Sequence, residues 1–129
     1  MEKVESNGKS VLVVEDEPGI ATICMRILSR EGFQVDIAVN GEVALDMWRK
    51  KDYDLCLSDI RTPRMNGIEL YRQLELERPE ALKTFVFTTG DIFSGNIKTF
   101  LAETGRPYLA KPFAPENLRV LAKAVFVPI

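Results

Sequence analysis

Asp59 closes the apolar run Leu55-Cys56-Leu57-Ser58, short enough for one buried strand, and the segment Arg61-Thr62-Pro63-Arg64-Met65-Asn66-Gly67 that follows has the composition of a loop. A carboxylate at the mouth of a strand is a candidate nucleophile. Other apolar runs end in reactive groups too. Val11-Leu12-Val13-Val14 leads into Glu15-Asp16-Glu17, Phe85-Val86-Phe87 leads into Thr88-Thr89-Gly90-Asp91, and Tyr108-Leu109-Ala110 leads into Lys111-Pro112. Ligands of open α/β sheets bind outside the carboxyl ends of the strands, so these groups can converge on one crevice. Nucleophilic attack by a carboxylate is open to such a set, and where a phosphoryl group is transferred it needs little beyond positioning and charge neutralisation. Three acidic side chains at one sheet edge repel each other and should hold protons more tightly unless a cation joins them. Oxygen-only ligands suit Mg²⁺, or Mn²⁺ in its place.

The elements that must position these groups alternate five times. Val11 to Val14 reads as strand one. A first helix starts near Pro18 and stops at Gly32, with Ile20, Ile23, Cys24, Ile27 and Leu28 on its apolar face. Phe33, Val35 and Ile37 alternate as a less buried second strand. Asn40 caps a helix carrying Ala44, Leu45 and Trp48, and Tyr53 to Ser58 forms strand three. Ile68, Leu70, Tyr71 and Leu74 mark a third helix that ends before Pro79. Phe85 to Thr88 is strand four; Ile97, Phe100 and Leu101 belong to helix four. Pro107 to Ala110 is a short fifth strand, and Pro115 opens a last helix with Leu118, Leu121, Ala122 and Val125 inward. This alternation predicts right-handed βαβ crossovers and a parallel sheet covered on both faces.

Composition narrows the function classes. The 129 residues suffice for a single domain, and 46% hydrophobic with 28% charged residues is ordinary for a globular protein. A net charge of −2 without a basic stripe gives direct nucleic-acid binding no electrostatic support. The apolar stretches are strand-sized, so membrane insertion is not expected, and the default location is cytoplasmic. Residues 1–9 read as a tail or linker and 10–127 as the domain. Cys24 and Cys56 fall on buried faces and are expected as free thiols. Histidine is absent, which excludes a phosphohistidine donor, a His-based hydrolase and a His-ligated zinc site within the chain.

The motifs and their spacing resemble the receiver domain of two-component response regulators, over roughly Ser10 to Val125. The intervals are 43 residues from Asp16 to Asp59, 30 from Asp59 to Thr89 and 22 from Thr89 to Lys111. The acidic pair Glu15/Asp16, the loop Pro63-x-Met65-Asn66-Gly67, Thr89-Gly90, Tyr108 and Lys111-Pro112-Phe113 complete the pattern; Thr62 departs from it, standing where the family usually has methionine. The resemblance implies a flavodoxin-like, doubly wound (βα)5 domain with strand order 2-1-3-4-5. It implies Asp59 as phosphoacceptor, and a metal held by Asp16, Asp59, Glu15 through water and the Arg61 backbone carbonyl. Lys111, Thr89 and the Gly90 amide would bind the phosphoryl oxygens. Thr89 and Tyr108 would form a switch read on the face of helix four, strand five and helix five, and the Lys111-Pro112 peptide would be cis. Implied partners are a histidine kinase or histidine phosphotransfer protein as donor, a downstream output domain or protein, and a second copy in a phosphorylation-dependent dimer. The domain would catalyse its own phosphorylation and dephosphorylation without being a conventional enzyme. The runs around Thr89 and Thr104 to Phe113 are similar to receivers of hybrid histidine kinases.

Taken singly, each residue has a commoner structural use. An Asp after a strand forms turns, Thr89 can end a strand, Lys111 can be a solvated charge and Tyr108 can pack at a sheet edge. Glu17 suits the positive end of helix one better than it suits the metal. Rival chemistries fit less well. Haloacid-dehalogenase-like phosphatases place an Asp-x-Asp nucleophile after strand one, where this chain has Glu15-Asp16-Glu17; a flavodoxin-like phosphate loop would be repelled there. Gly8-Lys9-Ser10 lacks the earlier glycine and strand of a P-loop. The remaining alternative is a phosphorylation-independent interaction module on the same fold, against which the complete set of acceptor, acidic pair, threonine and lysine argues. Arg61 and Asp91, each two residues beyond a site residue, are expected to pair across the mouth as a gate against water.

Overall fold

In a computed structural model, described over residues 5–91 and 94–126, the chain forms a five-stranded parallel sheet in the order β2-β1-β3-β4-β5. The strands are β1 (Ser10–Val14), β2 (Gln34–Ala38), β3 (Leu55–Asp59), β4 (Phe85–Thr89) and β5 (Tyr108–Ala110). Between and after them run α1 (Pro18–Arg30), α2 (Gly41–Lys50), α3 (Gly67–Glu77), α4 (Gly95–Thr104) and α5 (Pro115–Ala124), with a 3₁₀ segment, Pro79–Thr84, leading into β4. The alternation and strand order agree with the expected fold.

Because successive strand residues face opposite sides, the central strands feed two cores. Leu12, Val14, Cys56, Phe85 and Phe87 pack with Ala44, Leu45 and Trp48 of α2, Leu70, Tyr71 and Leu74 of α3, and Ile97, Phe100 and Leu101 of α4. Val11, Val13, Leu55, Leu57 and Val86 pack on the other face with Cys24, Ile27 and Leu28 of α1 and Leu118 and Ala122 of α5. Tyr71, Phe85, Phe87 and Phe100 form an edge-to-face cluster that fastens α4 to β4. Both thiols are buried and free; burial pushes the Cys24 thiol up to about 11 and the Cys56 thiol up to about 12.

The boundaries differ from expectation in instructive ways. Ile23, placed by periodicity on the buried face of α1, is 53% exposed, since Ala21 and Cys24 already fill that face. The third strand begins at Leu55, not Tyr53, because Tyr53 turns its hydroxyl to Asp36 at 2.7 Å while its ring meets Trp48 edge-on. Pro107 precedes β5, and its carbonyl accepts from Phe87 N–H. Residues 7–9 bond to the α1–β2 turn through Asn7 N–H to Gly32 O and Gln34 N–H to Lys9 O. The expected domain end at Val127 lies outside the described residues. Among the described residues no helix is long and apolar enough to cross a membrane.

Candidate functional site

Strand register brings the acidic groups together. Val14 lies opposite Ser58, so Glu15 and Asp59 emerge side by side at the carboxyl edge of the sheet. Thr89 lies opposite Ala110, and Lys111 N–H donates to Thr89 O at 2.8 Å, which hangs the lysine over the same edge. The Lys111-Pro112 peptide is cis. The β3–α3 loop is drawn under Asp59 by Gly67, whose N–H donates to Ile60 O at 2.9 Å; a Cβ there would lie 2.5 Å from the Asp59 carbonyl oxygen, so only glycine fits. Asn66 and Glu69 close a reciprocal cap on α3, with Asn66 Oδ1 accepting from Glu69 N–H at 2.9 Å and Glu69 Oε1 from Asn66 N–H at 3.1 Å. Thr62, the departure from the family pattern, is buried and donates its hydroxyl to Met65 O at 2.8 Å, which braces the same loop.

Carboxylate oxygens of Glu15, Asp16 and Asp59 all lie within 4.8 Å of one another. Lys111 Nζ sits between two of them, 2.6 Å from Glu15 Oε1 and 3.0 Å from Asp59 Oδ2. The side chains of Glu15 and Asp59 are only 3% and 9% exposed, whereas Asp16 is open to solvent. One ammonium thus faces three carboxylates, and the set retains room in charge for a cation. Burial, helped by the charge of Asp59, outweighs the bonds from Lys111 and from the Glu17 N–H and raises the pKa of Glu15 above the ordinary carboxylate range. Burial opposes the charge of Lys111, yet the bonds to Glu15 and Asp59 prevail and its pKa is raised. The donor set is all oxygen and mostly desolvated, which fits a hard divalent ion and no thiol- or imidazole-seeking metal.

The raised Glu15 pKa has a thermodynamic sign. A carboxyl that holds its proton more tightly folded than unfolded adds stability when protonated and loses it as pH rises through the folded pKa. Glu15→Gln should therefore be more stable than wild type at neutral pH without divalent ions, and the difference should shrink as pH falls through the raised pKa towards the ordinary carboxylate range. Urea melts at several pH values check this; a destabilised Gln variant at neutral pH would contradict it.

The other expected residues are placed as follows. Thr89 is 1% exposed, and its hydroxyl bonds the backbone of Asp91 rather than Asp59. Tyr108 points outward, 43% exposed, beside Lys98, Leu101 and Ala102. Gly90 is exposed. Arg61 Nη2 reaches Asp91 Oδ2 at 2.8 Å, the ion pair expected from their positions. Glu17 caps α1 without a side-chain bond to it. A cleft of about 440 Å³ opens at Asp16, with Arg61, Thr62, Asn66 and Asn96 on its polar side and isoleucines on the other. Asn96 went unseen in the sequence because it lies on no apolar period and in no motif.

The sequence matches the family model of the response regulator receiver domain over residues 11–123. The chain belongs to this family. The receiver domain is 31% identical over 121 residues to the transcriptional regulatory protein ResD of Bacillus subtilis, covering 94% of this chain and 49% of ResD. It is equally 31% identical over 115 residues to the aerobic respiration control sensor protein ArcB of Escherichia coli, covering 88% of this chain and 15% of ArcB. Among solved structures it resembles the response regulator protein TrrA of Thermotoga maritima in complex with Mg²⁺-BeF, with a TM-score of 0.79 and 29% identity over 92% of this chain and 99% of that one. The chain spans about half the length of ResD. The receiver domain is a module of two-component phosphorelay signalling.

Proposed function

We propose that this receiver domain accepts one phosphoryl group on Asp59 from a phosphohistidine of a partner chain and thereby switches what it binds. The observation that carries the reading is the Asp59 carboxylate, held 3.0 Å from Lys111 within an all-oxygen acidic cluster at the sheet edge. Asp16, Asp59 and Glu15, with the Arg61 carbonyl, are the groups that would hold Mg²⁺, the ion named in the TrrA complex. Bound there, it would neutralise charge on the acceptor and on the oxygens of the donor.

The chain's own residues supply the rest. An oxygen of Asp59 attacks phosphorus as the P–N bond to the donor imidazole breaks, and that bond's electron pair leaves with the imidazole. The ammonium of Lys111, already between Glu15 and Asp59, follows one phosphoryl oxygen. Thr89 donates its hydroxyl to another, with the Gly90 amide beside it, and Tyr108 responds to the move of Thr89 as the second half of the switch. The donor is a histidine kinase or histidine phosphotransfer protein, since this chain has no histidine. The readout is an output domain, a separate protein or a second copy, and the place of action is the cytoplasm. ResD and ArcB represent a regulator and a sensor at equal identity, so both contexts suit the domain.

Incubation with acetyl phosphate should give an adduct that requires Mg²⁺ and is released by mild alkali, as an acyl phosphate is. An alkali-stable adduct would be a phosphoester on a hydroxyl residue instead and would overturn the reading.

A further inference from the structure

Thr89 holds its hydroxyl away from the acceptor through two bonds to one residue: it accepts from Asp91 N–H at 3.0 Å and donates to Asp91 O at 3.3 Å. A hydroxyl has one proton, so Thr89 cannot donate to a phosphoryl oxygen and to Asp91 at once. Asp91 in turn is fixed by its carboxylate. Oδ2 pairs with Arg61 Nη2 at 2.8 Å, and Oδ1 accepts from Ser94 N–H at 2.9 Å at the start of α4. Asp91 therefore holds the Thr89 hydroxyl through its backbone, and its carboxylate fixes that backbone by tying it to the β3–α3 loop and the head of α4.

We infer that Asp91 is a positioning residue that latches Thr89 in its resting place, and that Arg61 releases the latch when phosphoryl oxygens on Asp59 compete for its guanidinium. The inference rests on Asp59 being the acceptor. Arg61 is placed to make the exchange, because its backbone N–H lies 3.5 Å from Asp59 Oδ1 and the residue lines the cleft that opens at Asp16. Phosphorylation brings about −1.5 to −2 charge, more than the single charge of Asp91, and presents the oxygens that a guanidinium fork binds best. When Arg61 turns, Asp91 loses its hold on the loop, Thr89 regains its proton for the phosphoryl group, and the start of α4 is freed through Ser94. Since the ion pair is exposed, its loss favours the released form by at most about fivefold.

The test compares wild type with Asp91→Asn, which keeps an oxygen for Ser94 N–H and removes the charge, using beryllofluoride with Mg²⁺ as probe. Failure of wild type to bind the probe would count against the acceptor reading itself, separately from the latch. Given wild-type binding, Asp91→Asn should bind about two- to fivefold tighter at about 20 mM salt, the gap closing by about 500 mM as the pair is screened. In protein free of Mg²⁺ and beryllofluoride, the Thr89 and Ser94 amide resonances of the variant should move towards their positions in the bound wild type. Equal or weaker binding at low salt, a gap indifferent to salt, or unmoved resonances would overturn the latch. Arg61→Gln must move the same two resonances, which keeps the test decisive if Asp91→Asn folds poorly.

Discussion

Asp16→Ala should leave the domain folded and lower its Mg²⁺ affinity at least about 100-fold. Asp16 is exposed, so its loss removes no core contact, and a surface change of this kind alters stability by only about 0.5 kcal/mol. Its charge is nonetheless one of three carboxylates that approach within 4.8 Å. Mg²⁺ surrenders hydration reluctantly and is held by very few protein carboxylates, so no remaining group replaces a lost one. Changes even to groups that only support a metal ligand cost about 10- to 100-fold, which sets a floor for losing a ligand itself. Titration calorimetry measures the affinity directly. Thermal melts give a second reading: Mg²⁺ at 100 times its dissociation constant should stabilise wild type by about 2.7 kcal/mol and leave Asp16→Ala nearly unmoved. Wild-type affinity should also weaken as pH falls through the raised pKa of Glu15, because the proton competes with the ion. Equal Mg²⁺ affinity in Asp16→Ala would remove the metal from this site.

The sheet and its acidic edge were legible in the sequence because strands buried on both faces leave continuous apolar runs. Val11–Val14, Leu55–Leu57 and Phe85–Phe87 are such runs, and each ends in the residues that meet at the site. Asn40 was legible as a cap by residue type alone, and its side chain accepts from Val43 N–H at 2.9 Å. Ile23 misled because a periodic pattern gives a helix's apolar stripe without saying how far the neighbours extend over it. The Asn66–Glu69 cap was present as the pattern Asn-x-x-Glu and was obscured by reading the whole stretch as loop. The 3₁₀ segment before β4 left no periodic signal, being too short for one.

Within the site, residue types and intervals pointed to Glu15, Asp16, Asp59 and Lys111 as a group, and strand register brings them together. The resting geometry of Thr89 was not legible. Its hydroxyl is equally able to bond Asp59's surroundings or the turn that follows, and only the turn's path, with Asp91 anchored by Arg61 and Ser94, decides between them. The same holds for Tyr108, whose outward orientation depends on what α4 leaves open beside it.

All of these roles depend on Asp59 as the acceptor, and the largest effect expected of any substitution is at that residue. Its carboxylate is desolvated, bonded by Lys111 and ringed by the acidic groups that would hold the metal, whereas an amide in its place carries no negative charge to attack phosphorus. Asp59→Asn preserves the shape of the side chain and removes its charge, including the ion pair with Lys111. Intact-mass spectrometry of both proteins after incubation with acetyl phosphate and Mg²⁺ at neutral pH is the most direct measurement. Wild type should gain the mass of one phosphoryl group and Asp59→Asn none; an undiminished adduct in Asp59→Asn, or no adduct on wild type, would contradict the account.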